Sequence, residues 1–146
     1  MIRPATHADL PQLLALGAQM HAESRYHVLA FSGERLRATL AHVLDSPHGF
    51  LWVADDGARL TGGLAALAAQ HWCSTDLVAT DLALFMAPEA RGGLTAARLV
   101  TRYREWADQV GAVMTDMGVT TGVHTEQTAS LLERLGAQRV VLLLEL

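Results

Sequence analysis

PEARGGLTAARLV, Pro88 to Val100, is the stretch on which the fold turns. A proline and two adjacent glycines run straight into a segment with helical periodicity. Ala96, Leu99, Val100, Tyr103, Ala107 and Val110 make one apolar stripe, opposite Arg98, Arg102, Glu105 and Asp108. Gly111 stands where a C-terminal cap belongs. A helix N-terminus exposes unpartnered N–H groups and about half a positive charge. Glycines beside it remove the side chains that would keep an anion away. Composition alone leaves two readings of Gly92-Gly93, an anion cradle or a plain turn.

Outward from this point the chain alternates strands and helices. Met1–Ala5 is a strand; Thr6 with Asp9 has capping-box spacing, and Asp9 is an alternative cap before Pro11. Leu10, Leu13, Leu14 and Met20 share a helical face with Gly17. His21–Gly33 reads as a loop, and Leu36, Leu40, Val43 and Leu44 mark a second helix ended by Ser46-Pro47. Phe50–Ala54 and Arg59–Trp72 form a hairpin around Asp-Asp-Gly-Ala. Gly62-Gly63 inside it predicts a bulge or a close backbone approach. Leu77–Ala87 is a strand, Ala112–Val119 a buried strand, Thr125–Leu135 a helix closed by Gly136, and Arg139–Leu146 a last, apolar strand. The pattern predicts an α/β domain over residues 1–146, a mixed sheet with helices on its faces.

At 146 residues and 51% hydrophobic the chain supports one sizeable core. Its net charge of -4, with every basic residue an arginine, gives no general attraction to nucleic acid or anionic lipid. The lone Cys73 excludes an internal disulfide and cysteine-rich zinc sites, and is read as a small buried or strand-end residue with no activating base nearby. With no apolar h-region and no membrane-length apolar run, the expected location is the cytoplasm. The seven histidines show no metal-ligand spacing.

Strand, P-E-x-R-G, then helix resembles the GNAT superfamily of acyl-CoA N-acyltransferases. Met86-Ala87-Pro88-Glu89-Ala90-Arg91-Gly92 matches the family's strand end. Arg91 and Ala96 match the first and last positions of its Arg/Gln-x-x-Gly-x-Gly/Ala motif, with Leu94 in place of the middle glycine. IRPAT-HADL and LLERLGA, residues 131–137, resemble the family's first strand and late Y-E-K-L-G-F. The resemblance covers essentially the whole chain and is closest to short phage and bacterial members. It implies a mostly antiparallel sheet splayed between its fourth and fifth strands, and acetyl-CoA as co-substrate. The pyrophosphate would be held by backbone amides of residues 91 to 96 (Arg91, Gly92, Gly93, Leu94, Thr95, Ala96), with the pantetheine beside Phe85, Met86 and Ala87. Thr125 stands where an Asn is frequent, and Leu132 where a tyrosine donates a proton to the leaving thiolate.

Acetyl transfer needs a base for the amine and an acid for the thiol. Asp81, amid apolar neighbours near where relatives carry a base, is the first candidate base, against a solvent-facing strand-edge aspartate. Asp116, in mid-strand, is the second; Glu23 could line the acceptor side, as a loop between the first two helices does in the family. His124, before the late helix, is a candidate proton donor in place of the lost tyrosine, against an ordinary loop histidine. Tyr26 and Phe31 could wall the acceptor site, Trp106 reads as packing, and Arg98, Arg102 and Arg104 as a solvated face with one arginine in reach of a 3′-phosphate. The expected activity is N-acetylation of an amine. The alternative is a non-catalytic acyl-CoA-binding or protein-interaction module on the same scaffold. The short, apolar C-terminus predicts a homodimer.

Overall fold

The computed structural model describes residues 1–141 and 143–146. Five strands form one sheet in the order β1-β2-β3-β4-β5. They are β1 (Ile2–Pro4), β2 (Gly49–Asp55), β3 (Leu60–Gln70), β4 (Leu77–Met86) and β5 (Met114–Asp116). The first four pair antiparallel, and β5 lies parallel to β4. Pro4 is tolerated because β1 is an edge strand. The helices are α1 (Leu10–Glu23), α2 (Gly33–Asp45), α3 (Thr95–Gln109) and α4 (Thr125–Arg134).

Both faces of the sheet are covered, which is why β2 and β3 read as nearly continuous apolar runs. On one face Leu10, Leu13, Leu40 and Val43 of α1 and α2 pack on Leu51, Val53 and Ala65. A Cβ on Gly17 would come 2.3 Å from Leu36 Cδ2, so glycine there sets how closely α1 approaches α2. On the other face Leu99, Val100, Tyr103 and Ala107 of α3 pack on Phe50 and Leu64 together with Leu132 of α4. Trp106 joins them, its ring 5.4 Å from Phe50. The Thr6 N–H donates to Asp9 Oδ2 at 2.8 Å, as the capping-box spacing predicts. Arg3 clamps the same buried carboxylate with two bonds of 2.8 Å.

Two irregularities shape one end of the sheet. Gly62 is the close approach expected of the glycine pair, since a Cβ there would lie 2.5 Å from Met86 Sδ and 2.6 Å from Phe85 O. One register shift falls beside the glycines, with Thr61 the extra residue against β2; the other falls between Ala65 and Ala66, with Leu82 the extra residue of β4 against β3. The ladder between β4 and β5 covers only Val78–Thr80 against Met114–Asp116. Beyond Asp81 and Met117 the two strands part into a fork.

Several expectations fail. The helix expected to stop near Met20 continues to Glu23, and the loop after it contains a 3-10 turn, Arg25–Val28. β5 is a three-residue exposed edge strand, not a buried one over Ala112–Val119. Its chain leaves the sheet early because the Gly118 N–H is drawn to Asp81 and Thr121 O to the Arg25 N–H. No strand forms over the described residues of Arg139–Leu146, and Val140 and Val141 are exposed; Leu142 lies outside the described residues. Arg139 explains this, because its guanidinium bonds Glu133 at 2.6 Å and Glu126 at 3.0 Å and ties the start of the tail to α4, while Glu145 near its end pairs with Arg25. Apolar character alone makes no strand without a ladder to join.

Candidate functional site

The fork opens a cavity of about 410 Å³. Its walls come from the end of α1 and the turn after it (Met20, Glu23, Ser24, Tyr26), from β4 (Asp81 to Met86), and from the head of α3 (Arg91, Gly92, Gly93, Ala96). The chain after β5 (Met117 to Thr121) and one face of α4 close it.

The head of α3 carries the strongest polar signal. Arg98 N–H reaches Leu94 O at 3.0 Å, and the Arg91 N–H makes a long 3.4 Å contact with Pro88 O. Between them, the N–H groups of Gly92 to Ala97 have no acceptor among the described residues, and no side chain caps the helix. Gly92 has φ +82, a conformation that costs an ordinary residue about 1–2 kcal/mol. A Cβ added at Gly92 or Gly93 would meet no atom within 4 Å, so the space over these amides is open. Leu94 occupies right-handed helical backbone (φ -80) with its side chain 71% exposed, so the glycine of the motif is not required for this geometry.

Asp81 occupies the crotch of the fork. Its Oδ1 accepts the Gly118 N–H at 2.7 Å, tying β4 to the chain leaving β5. Burial pushes its carboxyl above the ordinary carboxylate range, the Gly118 bond partly offsets this, and the Asp116 charge adds to it. Asp116 itself is exposed at the end of β5 and does not line the cavity; its carboxylate has no hydrogen-bond partner among the described residues, and its carbonyl accepts from Tyr103 Oη at 2.9 Å.

The turn after α1 is sewn over the fork. Tyr26 Oη donates to Thr120 Oγ1 at 2.7 Å and Arg25 Nε to Thr120 O at 2.8 Å. Arg91 spans the site: Nε donates to Met86 O at 2.9 Å, the guanidinium lies 5.6 Å over the Phe85 ring, and Nη2 pairs with Glu23. His124 lines the cavity in left-handed backbone (φ 47, ψ 42) before α4. A strained non-glycine residue at a cavity wall is the kind of position where function is sought.

Of the residues singled out in the sequence, the structure gathers Asp81, His124, Phe85, Met86, Arg91, Gly92, Gly93, Ala96, Glu23 and Tyr26 around one cavity. Ala87 is buried, and Ala87, Leu94, Thr95 and Thr125 lie outside its lining. Phe31 is half-exposed against His21 instead, their rings 5.3 Å apart. Leu132 points into the core and does not reach the cavity. The lining face of α4 was missed, although Gln127, Thr128, Leu131 and Arg134 follow His124 at helical spacing. Cys73 is exposed, not buried, and His71 Nδ1 stands 3.2 Å from its Sγ. Both sit on the β3–β4 turn, whose polar, solvated backbone needs no apolar cover. Among the described residues no group of His, Cys, Asp and Glu could hold a metal ion, and no helix is long and apolar enough to cross a membrane.

No protein-family model matches the sequence, and no curated protein matches it either. Solved structures do match. An aminoglycoside antibiotic 6'-N-acetyltransferase from Acinetobacter haemolyticus superposes with TM-score 0.76 at 16% identity, over 100% of this chain and 96% of that one. A glucosamine-6-phosphate N-acetyltransferase from Arabidopsis thaliana gives 0.76 at 9%, over 99% and 95%. A protein described as a transcriptional regulator, from Bacillus halodurans, gives 0.76 at 21%, over 100% and 97%. At such identities the likeness concerns the backbone, and what it establishes is that this chain has the GNAT fold.

Proposed function

We propose that the protein transfers an acetyl group from acetyl-CoA to an amine. The observation that carries this reading is the run of N–H groups from Gly92 to Ala97 that have no acceptor among the described residues, with Gly92, Gly93 and Ala96 lining the same cavity as Asp81. The residues present fit coenzyme A. Open amides at the head of a fifteen-residue helix suit a pyrophosphate. From Asp81 to Met86 the edge of β4 that faces the fork has no strand partner among the described residues, which suits the amides of a pantetheine arm. Phe85 and Met86 supply the apolar surface beside it.

Acetyl-CoA, when bound, supplies an activated carbonyl and a thiol leaving group. Asp81 then takes the proton that the attacking amine gives up. Its raised affinity for protons, a consequence of burial, brings a carboxylate closer to the range useful at neutral pH. His124, on the α4 wall, holds the proton for the departing thiol. Tyr26 and Thr120, bonded to each other, keep the turn after α1 closed over the acceptor end.

A second reading, an acyl-CoA-binding module without turnover, is favoured by Leu132, which lies in the core where the resemblance implies a donor tyrosine. A panel of amines assayed for thiol release from acetyl-CoA, alongside calorimetric titration with coenzyme A, separates the two. Turnover supports the transferase; tight binding without turnover of any amine supports the module. Absence of binding refutes both.

A further inference from the structure

The pairing of Arg91 with Glu23 joins the anion cradle to the opposite wall of the cavity. Glu23 is the last residue of α1, where the helix dipole adds partial negative charge. This corner therefore attracts a cation, and in the free protein that cation is Arg91. The pair is partly solvated, with side chains 26% and 28% exposed, and Arg91 Nε is held separately by Met86 O, so the exchange gives up only the contact of Nη2 with Glu23. A pyrophosphate over the amides of Gly92 to Ala97 offers the same guanidinium a more highly charged, bidentate partner.

We propose that coenzyme A draws Arg91 away from Glu23, and that the released carboxylate recognises a second cationic group on the acceptor. The substrate class is then a diamine or polyamine-like cation, admitted after the cofactor; this rests on the acetyl-CoA reading above. The two carboxylates of the cavity take separate tasks. Asp81 serves the reacting amine and Glu23 the distal ammonium, while Met20, Tyr26 and Leu82 offer apolar cover for the spacer. Because coenzyme A and the diamine favour the same open arrangement of Arg91, each strengthens binding of the other.

The test is calorimetric. Glu23→Gln should bind coenzyme A at least about two- to fivefold more tightly than wild type, the upper range for a solvent-exposed ion pair. Pantetheine, which lacks the pyrophosphate, should bind both proteins alike. For the wild type, 1,5-diaminopentane should bind the protein saturated with coenzyme A more tightly than the free protein. Pentylamine should show no such difference, and Glu23→Gln should abolish it. Arg91→Gln, which uncovers Glu23 without the cofactor, should bind the diamine in the free state as well as the loaded wild type does. An unchanged or weakened affinity of folded Glu23→Gln for coenzyme A overturns the exchange. Equal diamine binding by free and loaded wild type overturns the acceptor assignment. A wild type that does not bind coenzyme A at all overturns the acetyltransferase reading itself, and the exchange with it.

Discussion

Aspartate at position 93 should separate stability from ligand binding, because the structure makes the two respond in opposite directions. A side chain at Gly93 meets nothing within 4 Å, and its backbone is outside the left-handed region, so the fold accommodates it. A carboxylate beside the head of α3 also complements the helix dipole, worth about 0.3–1 kcal/mol of added stability. The same carboxylate occupies the N–H groups that a pyrophosphate would use. Losing two charge-assisted bonds costs about 3 kcal/mol at the low end of their range. Repulsion between like charges adds to this, since a unit pair about 4 Å apart at a protein surface interacts by about 4 kcal/mol before salt screening. Three kcal/mol is already a loss of about a hundredfold in affinity. Urea unfolding should therefore give a midpoint at or above wild type, while titration with coenzyme A at low salt shows at least that loss. Gly93→Ala, bulk without charge, should stay near wild type in both. A folded Gly93→Asp protein that retains wild-type affinity would refute the cradle.

Asp81→Asn should lower turnover by about 10²–10⁴-fold, as loss of a general base does, with coenzyme A affinity largely kept. Because the Asp81 carboxyl is raised in the fold, the stability tied to its protonated form is present below the ordinary 3.8 and lost as pH rises through the folded value. Asn still accepts the Gly118 N–H, so the variant should be at least as stable as wild type at pH 7 in urea melts, an advantage that vanishes in acid. Asp9 carries the opposite sign: Arg3 holds its carboxyl far below the usual range, so that stability is present above 3.8 and is lost as pH falls. Arg3→Met should cost about 2 kcal/mol at pH 7, between exposed and buried ion pairs, and less at pH 3. The exposed apolar tail and the outer edge of β5 are proposed to drive self-association at micromolar concentration; a clean 15.7 kDa species in sedimentation would refute that.

What the sequence determined by itself is whatever depends on near neighbours. The 3.6-residue stripe from Ala96 to Val110, the turn residues of the hairpin, the capping box at Thr6 and the glycines before α3 each act within a few positions, and each is where its residues predict. The head of α3 could be read as an anion site because a helix terminus is defined by its own backbone. Tertiary structure decided everything that depends on a distant partner. Apolar Val140 and Val141 form no strand because Arg139 is captured by Glu126 and Glu133 on α4. β5 is short because Gly118 is drawn to Asp81, 37 residues earlier. Glu23 and Arg91, 68 positions apart, meet only because the turn after α1 folds across the fork. Local preference is fixed by a few consecutive side chains, whereas these pairings are chosen among many competing partners by the packing of the whole sheet.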